Sequence, residues 1–344
     1  MSRVICFLGI TFHKYWNFHR VCLTSKITAI KKIINYLKDF IRADFNPLVY
    51  GYTLIFLIIT FYFNFKYDFE DSVLDATLVN PWMGMFWHFC FFGFAYYGVV
   101  IPKLLLTKQF DKLGNKHFWI KSGLFIGLMG IAGGFAFHHD FLLGISNYSE
   151  RYFLGKIFSN IRRIMLYTIP FFLIKNYYDK EMSGLFGLTT KNVNIKPYLW
   201  MLLIMLPLIM TASFIPAFLK QYPTFKFWII EPVFGLEKWQ MTAIYEFVYG
   251  MDFTFVELMF RGALVIGMVK ILGKDAILPM AAVYGFLHFG KPLGEAVSSI
   301  FGGYILGIIA YYSRNIWGGV FIHMGIAYLM EFTALIQHWF KGTF

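Results

Sequence analysis

The chain has 344 residues, of which 58% are hydrophobic and only 15% are charged, with a formal net charge of +12 at pH 7. A soluble domain carries roughly 25% charged residues, so this composition excludes an ordinary soluble fold. The positive charge lies in the first 46 residues and in short loops between apolar runs, which is typical of membrane proteins and argues against nucleic acid as a partner.

The first predicted element covers residues 26–42. Its apolar residues recur at three- and four-residue steps with lysines on the opposite side, which predicts a basic amphipathic helix. Such a helix lies either on the cytoplasmic membrane surface or against the protein's own loops. Residues 1–46 are therefore interpreted as a basic, cytoplasmic N-terminal segment that contains an interfacial helix.

Five apolar runs then predict membrane-spanning helices. They cover residues 47–65, 82–102, 118–138, 157–174 and 197–219. Basic connections at residues 103–117 and 175–196 alternate with an acidic one at 66–80, which places the N-terminus in the cytoplasm. The pair Arg162 and Arg163 falls on the predicted outer side and breaks this pattern. The abundance of Phe, Ile, Tyr and Lys favours a bacterial source, and hence an integral protein of the bacterial cytoplasmic membrane.

The last third of the chain begins with a long apolar stretch. Residues 241–272 would measure roughly 48 Å as one helix, which exceeds a hydrocarbon core of ~30 Å. This segment must therefore tilt, protrude or break, and Gly250 is its weakest point. Residues 276–289 are short for a span and predict a buried or re-entrant helix, whereas 295–313 and 316–339 predict two further spans.

These elements predict an all-α, polytopic membrane protein with about eight transmembrane helices and an N-terminal amphipathic interfacial helix. The chain divides into an N-terminal segment (1–46), a first group of transmembrane helices (47–240) and a core (241–339).

Four ionisable side chains lie inside the apolar segments of that core. They are Glu257, Arg261, His288 and His323. Such residues cost from ~2.5 kcal/mol upward in a bilayer and normally face the protein interior with a partner. Glu257 and Arg261 lie four residues apart on one helical face and can pair, either as a structural salt bridge or within a functional site.

A carboxylate with two imidazoles suits two kinds of chemistry. It can activate water and stabilise an oxyanion, with Glu257, His288 and His323 as candidate catalytic residues. The same three side chains are candidate ligands for a divalent metal such as zinc. Glu246 precedes Glu257 by eleven residues and shares its helical face, so it is a supporting candidate that could line the same cavity.

The order of these residues resembles the CAAX-protease and bacteriocin-processing family of intramembrane endopeptidases over about residues 241–335. That family has two adjacent glutamates, three residues and an arginine, then an aromatic residue with three residues before a histidine, then a histidine followed four positions later by asparagine or aspartate. The matching segments here run from Val256 to Arg261, from Tyr284 to His288 and from His323 to Ala327. The resemblance implies hydrolysis of a hydrophobic or lipidated peptide among membrane lipids, with Tyr284 and Arg261 as supporting residues.

Two departures from the family pattern leave three hypotheses open. Val256 stands where the family has its first glutamate, and Ala327 stands where it has the final asparagine. The first hypothesis is an endopeptidase in which Glu257 is the base or an orienting carboxylate, while Arg261 neutralises it or docks substrate. The alternative is an impaired relative that binds a peptide or a membrane partner without cleavage. The last is a transporter that uses the same buried charges.

Overall fold

The computed structural model describes residues 31–190, 193 and 195–343. It is 81% helical, with no strand in the described part of the chain, which confirms an all-α polytopic membrane protein. The principal helices are α1 (31–44), α2 (Pro47–Tyr67), α3 (Pro81–Leu106), α4 (Lys116–Gly134), α5 (Tyr148–Tyr178), α6 (Lys196–Ala212), α7 (Lys238–Glu257), α8 (Ile277–Phe286), α9 (Leu293–Ser313) and α10 (Trp317–Phe340).

Shorter pieces connect these helices. Single helical turns cover Phe110–Gly114, His138–Leu143, Pro216–Gln221 and Val269–Leu272, and tighter 3₁₀ turns cover Asp75–Val79, Phe227–Ile229 and Gly273–Ala276. Two π-helical segments, with wider turns, cover Glu70–Leu74 and Leu258–Gly267.

Among the described residues, six segments are long and apolar enough to cross a membrane. They are α2, α3, α4 extended to Leu143, α5, α9 and α10. The total of about eight spans stays a prediction, because α6 has only 17 residues and α7 was not among the six.

Asparagine side chains determine where several of the spans begin. In each case the side-chain oxygen accepts backbone N–H groups of the first turn, which have no partner inside the helix. These residues are Asn46 before α2, Asn80 before α3, Asn115 before α4 and Asn147 before α5. Proline at the first helical position follows two of them, at Pro47 and Pro81, where the missing N–H costs nothing.

The fifth predicted span is shorter than expected. The sequence predicted one helix over residues 197–219, but α6 ends at Ala212 and a separate turn begins at Pro216. Proline has no N–H to donate to the carbonyl four residues earlier, and its ring clashes with that carbonyl. The helix therefore stops before Pro216 instead of running through it.

Of the three possibilities left open for residues 241–272, which were to tilt, protrude or break, a break at Gly250 does not occur. Helix α7 runs through Gly250 without interruption and changes character at Glu257, where the π-helical segment Leu258–Gly267 begins. Gly250 serves a packing purpose, because a Cβ atom there would lie 2.0 Å from the Tyr328 hydroxyl of α10. The prediction of a buried helix at 276–289 is confirmed by α8, whose ten residues are all buried.

Helix α1 packs against the end of α9. Tyr36 stacks on Tyr312 with ring centroids 4.7 Å apart, and Phe40 meets the edge of Tyr311. Asp44 accepts hydrogen bonds from the buried Lys103 of α3 at 2.8 Å. Of the two placements that the sequence left open, packing on the protein itself is therefore present. Residues 26–30 of the predicted helix lie outside the described residues.

The helices that carry the four ionisable residues lie together. Helix α10 packs on α6 and α7, α7 packs on α5, and α8 packs on α3, on α9 and on the π-helical segment. Glu257, Tyr284 and His323 are thereby held on three neighbouring helices.

Candidate active site

Glu257 and Arg261 form the buried centre of the site. Their side chains are 0% and 1% exposed, and Arg261 Nη1 donates to Glu257 Oε1 over 2.7 Å. The two residues lie at the junction of α7 and the π-helical segment, so the predicted pair across one helical turn is present. Burial removes most solvent screening, so each charge depends on the other.

His323 joins this pair from α10. Its Nδ1 lies 3.1 Å from Glu257 Oε1, the same oxygen that accepts from Arg261. Phe253 covers the imidazole from α7, with ring centroids 4.4 Å apart. The sequence predicted that these residues meet, and the helices bring them together across 66 positions of the chain.

The glycines at the start of α10 make this approach possible. A Cβ atom at Gly319 would lie 2.1 Å from Glu257 Oε2, and one at Gly318 would lie 1.9 Å from the ring of Tyr198. A side chain at either position would force the Glu257 carboxylate or the Tyr198 ring to move. The backbone of α10 therefore lies directly against the carboxylate.

Tyr284 and His288 complete the cluster from α8 and the turn that follows it. The Tyr284 hydroxyl lies 3.2 Å from His323 Nε2, and the Arg261 guanidinium lies over the Tyr284 ring at 4.3 Å. His288 Nδ1 is 2.8 Å from the backbone carbonyl of Tyr284. Because a carbonyl only accepts, that nitrogen carries the proton and Nε2 is left as an acceptor.

Several polar atoms of this cluster lack partners. Glu257 Oε2, Arg261 Nε and Arg261 Nη2 are buried and find no hydrogen-bond partner among the described residues. Buried polar atoms in folded proteins are almost always satisfied. Atoms of this kind in a cluster of ionisable groups make the cluster a candidate site for a polar ligand.

Glu246, Val256 and Ala327 contribute nothing polar to the cluster. Glu246 lies on the same face of α7, but no hydrogen bond or ion pair among the described side chains joins it to Glu257. Val256 is 8% exposed and packs in the apolar core, and Ala327 is 4% exposed one turn after His323.

The candidate metal ligands do not fit a metal ion in this arrangement. Among the described residues, only Glu70, Asp71 and Asp75 bring three ligand atoms within 4.8 Å of one another. Glu257, His288 and His323 do not form such a group, and Glu257 Oε1 is already engaged by Arg261 and His323.

Sequence reasoning missed Asp252, a buried carboxylate of α7. Arg163 of α5 forms an ion pair with it, and Arg162 donates to the carbonyl of Phe135. Both arginines that broke the predicted alternation of loop charge therefore have partners inside the protein. The signal was available, since an unpaired cation within a span requires an acceptor on another helix.

Comparison with known proteins finds a family that this part of the chain resembles. Residues 239–329 match the family model described as type II CAAX prenyl endopeptidase Rce1-like. The resemblance to the CAAX-protease family is confirmed. The match begins in the first turn of α7, ends after Ala327 in α10, and so includes every residue of the cluster. No curated protein and no solved structure matches the chain.

Proposed function

We propose that the chain is an intramembrane endopeptidase that hydrolyses a peptide bond of a hydrophobic or lipidated peptide. The observation that carries the proposal is the 3.1 Å contact between His323 Nδ1 and Glu257 Oε1 within a buried polar cluster. A histidine held by a carboxylate is the usual arrangement for moving a proton during acyl transfer. The matched family of CAAX prenyl endopeptidases supports the same reaction class.

Glu257 acts as the orienting carboxylate in this proposal. Its Oε1 already accepts from both Arg261 and His323, and its Oε2 faces the backbone of α10 at Gly319. Neither oxygen is well placed to take a proton from water. By holding Nδ1–H of His323, Glu257 leaves Nε2 of that ring as the base.

Two further residues support the reaction. His288 keeps its proton on Nδ1 for the carbonyl of Tyr284 and presents Nε2 as an acceptor that can hold the attacking water. Arg261 pairs with Glu257 and balances its charge in an apolar surrounding.

The surroundings of the site agree with a membrane-embedded reaction. The chain is an integral membrane protein, and we place it in the bacterial cytoplasmic membrane with its N-terminus in the cytoplasm, as its basic loops indicate. Residues 241–339 are proposed as the protease core, residues 47–240 as supporting transmembrane helices and residues 1–46 as a cytoplasmic segment. Membrane lipids and the peptide substrate are the proposed partners.

One observation favours a second function, which is peptide binding without cleavage. Val256 and Ala327 are apolar residues at positions where the CAAX-protease family has a glutamate and an asparagine. A chain that has lost these two polar groups but keeps a buried cluster can still bind the polar backbone of a peptide. Hydrolysis and binding are distinguished by product formation alone.

The test uses the purified full chain in detergent with a library of hydrophobic and C-terminally lipidated peptides. We expect cleavage at one bond, detected by mass spectrometry, and a loss of at least about 100-fold in kcat for Glu257→Gln and for His288→Ala. Glu331→Gln is the matched control, because Glu331 is also a buried glutamate but is bonded to Thr224 instead.

Peptides that bind to the folded chain and stay intact would replace the protease proposal with the binding alternative. Cleavage that persists unchanged in both Glu257→Gln and His288→Ala would contradict the assignment of the site.

A further inference from the structure

The Tyr284 hydroxyl makes a long and exchangeable contact with His323. It lies 3.2 Å from Nε2 and 3.5 Å from Nδ1 of that imidazole. Hydrogen bonds from hydroxyl groups are usually 2.7–2.8 Å long and weaken as they lengthen. The hydroxyl is therefore near His323 without being tightly bound to it.

The ring that carries this hydroxyl is held firmly. Tyr284 is 5% exposed, the Arg261 guanidinium lies over one face, and Phe260 meets its edge at 4.9 Å. Gly303 of α9 lies so close that a Cβ atom there would be 2.8 Å from Tyr284 Cδ1. These contacts fix the position of the ring, while the hydroxyl proton can turn about the C–O bond.

The network determines which group donates. Glu257 accepts from Nδ1–H of His323, so Nε2 of the same ring is an acceptor and the phenol donates to it. When another acceptor arrives beside the ring, the phenol proton can turn to it and leave Nε2 free. A cation over the ring also draws electron density from it, which makes the hydroxyl a stronger donor.

Two other donors of the cluster are already engaged. His288 Nδ1 donates to the carbonyl of Tyr284, and Arg261 Nη1 donates to Glu257. Arg261 Nε and Nη2, in the side chain that lies across the Tyr284 ring, have no partner among the described residues and remain as further donors beside the phenol. Ala327 has no polar atom.

We propose that the Tyr284 hydroxyl donates a hydrogen bond to the scissile carbonyl oxygen as that oxygen becomes an oxyanion. This inference rests on the proposed protease function and adds a catalytic residue to it. A fixed donor aimed at developing charge stabilises the transition state more than the bound substrate. Tyr284 donates this bond without giving up its proton.

The step balances in atoms and electrons. The water oxygen attacks the carbonyl carbon, its proton moves to His323 Nε2, and the carbonyl π electrons move to the oxygen that Tyr284 holds. The oxyanion electrons then re-form the carbonyl as the C–N bond breaks, the electron pair of that bond stays on nitrogen, and the proton on Nε2 passes to that nitrogen. One water is consumed, and a carboxylic acid and an amine are released; the acid then gives its proton to the amine or to water.

The test compares Tyr284→Phe with Tyr96→Phe in the full chain. Tyr96 is the matched control, since it is 0% exposed and its hydroxyl has no hydrogen-bond partner among the described residues. We expect Tyr284→Phe to lower kcat by about 10²–10³-fold, as for loss of one oxyanion donor, with KM within a factor of about two because ground-state binding is unchanged. Tyr96→Phe should keep the wild-type kcat.

A 3,5-difluorotyrosine at position 284 separates hydrogen bonding from packing. It keeps the hydroxyl and strengthens it as a donor, so kcat should equal or exceed that of the wild type. A fall as large as that of Tyr284→Phe would assign Tyr284 to packing and overturn the inference.

The remaining outcomes distinguish this inference from the proposed function. Wild-type kcat in Tyr284→Phe, or a loss confined to KM, overturns the role of Tyr284 and leaves the protease intact. Absence of cleavage by the wild-type chain overturns both.

Discussion

Two buried clusters of charge in this molecule differ in how completely they are paired. At the end of the bundle that holds α1, Lys103 lies 2.8 Å from Asp44 and 3.3 Å from Asp275, and Lys112 lies 2.7 Å from Asp275. Tyr50 adds a hydrogen bond to Asp44 at 2.9 Å. In the cluster of Glu257, Arg261 and His323, one carboxylate oxygen and two guanidinium nitrogens have no partner among the described residues.

The difference separates a structural cluster from a functional one. Burial raises the pKa of Asp275, but Lys103 and Lys112 outweigh that effect and hold the pKa below its usual value. The charged side chains there pair with one another and so hold α1, α3 and the turn before α8 together. An unpaired buried polar atom costs about 1–3 kcal/mol, and a fold tolerates that cost where a ligand will make the missing bond.

The largest expected effect comes from breaking the structural cluster. Lys103→Met leaves Asp44 without its cation and Asp275 with only Lys112, and removal of one partner from a buried pair costs about 3–5 kcal/mol. We expect this loss in the free energy of unfolding in detergent, with kcat per folded molecule unchanged.

Lys112→Met is its control, because the Lys112 side chain is 22% exposed and Asp275 would still be paired with Lys103. Equal stability of Lys103→Met and the wild type would remove the distinction between the two clusters.

A single methyl group should disturb the functional cluster with little effect on the fold. In Gly319→Ala the new Cβ atom would lie 2.1 Å from Glu257 Oε2, so the carboxylate must move. Displacement of a catalytic group by about 1 Å costs about 100-fold in rate, and we expect that loss in kcat for peptide cleavage.

Gly302→Ala in α9 is the matched control, because nothing lies within 4 Å of a Cβ atom there. Similar rates for the two alanine variants would mean that the position of Glu257 is unimportant.

The smallest expected effect concerns pH and a third group of charges, in the loop before α3. Burial, together with a hydrogen bond to Asp71 and the nearby Asp75, raises the pKa of Glu70 to about 8. The folded chain therefore holds a proton that the unfolded chain loses above pH 4.5, so stability falls as pH rises from about 4.5 to about 8.

We expect the unfolding midpoint to decrease across this range in the wild type and to change less in Glu70→Gln, measured by thermal unfolding at several pH values. An equal slope in both proteins would contradict the raised pKa.

Much of the fold follows from the sequence because apolar runs and their caps are local signals. The spans at 47–65, 82–102, 295–313 and 316–339 correspond closely to α2, α3, α9 and α10. The quartet of ionisable residues was also predictable, since each is exceptional in an apolar segment. Their contacts, however, depend on helices far apart in the chain.

The features that the sequence did not predict depend on contacts between helices. Gly250 read as a point of weakness, because nothing local shows that Tyr328 occupies the space beside it. The residue types in the π-helical turns after Glu257 do not distinguish them from an ordinary apolar α-helix. The position of the Tyr284 hydroxyl beside His323 depends on how α8 packs on the π-helical segment and α10 packs on α7, and spacing along one helix cannot predict it.

The close approach of Gly319 to Glu257 has a consequence for evolution. A residue with a side chain at position 319 displaces the carboxylate of a glutamate at position 257 from its place, so the two positions should vary together among related sequences. Chains that lose the carboxylate are released from the requirement for glycine. We therefore expect relatives with a larger residue at position 319 to keep the helices but to lack the hydrolytic activity.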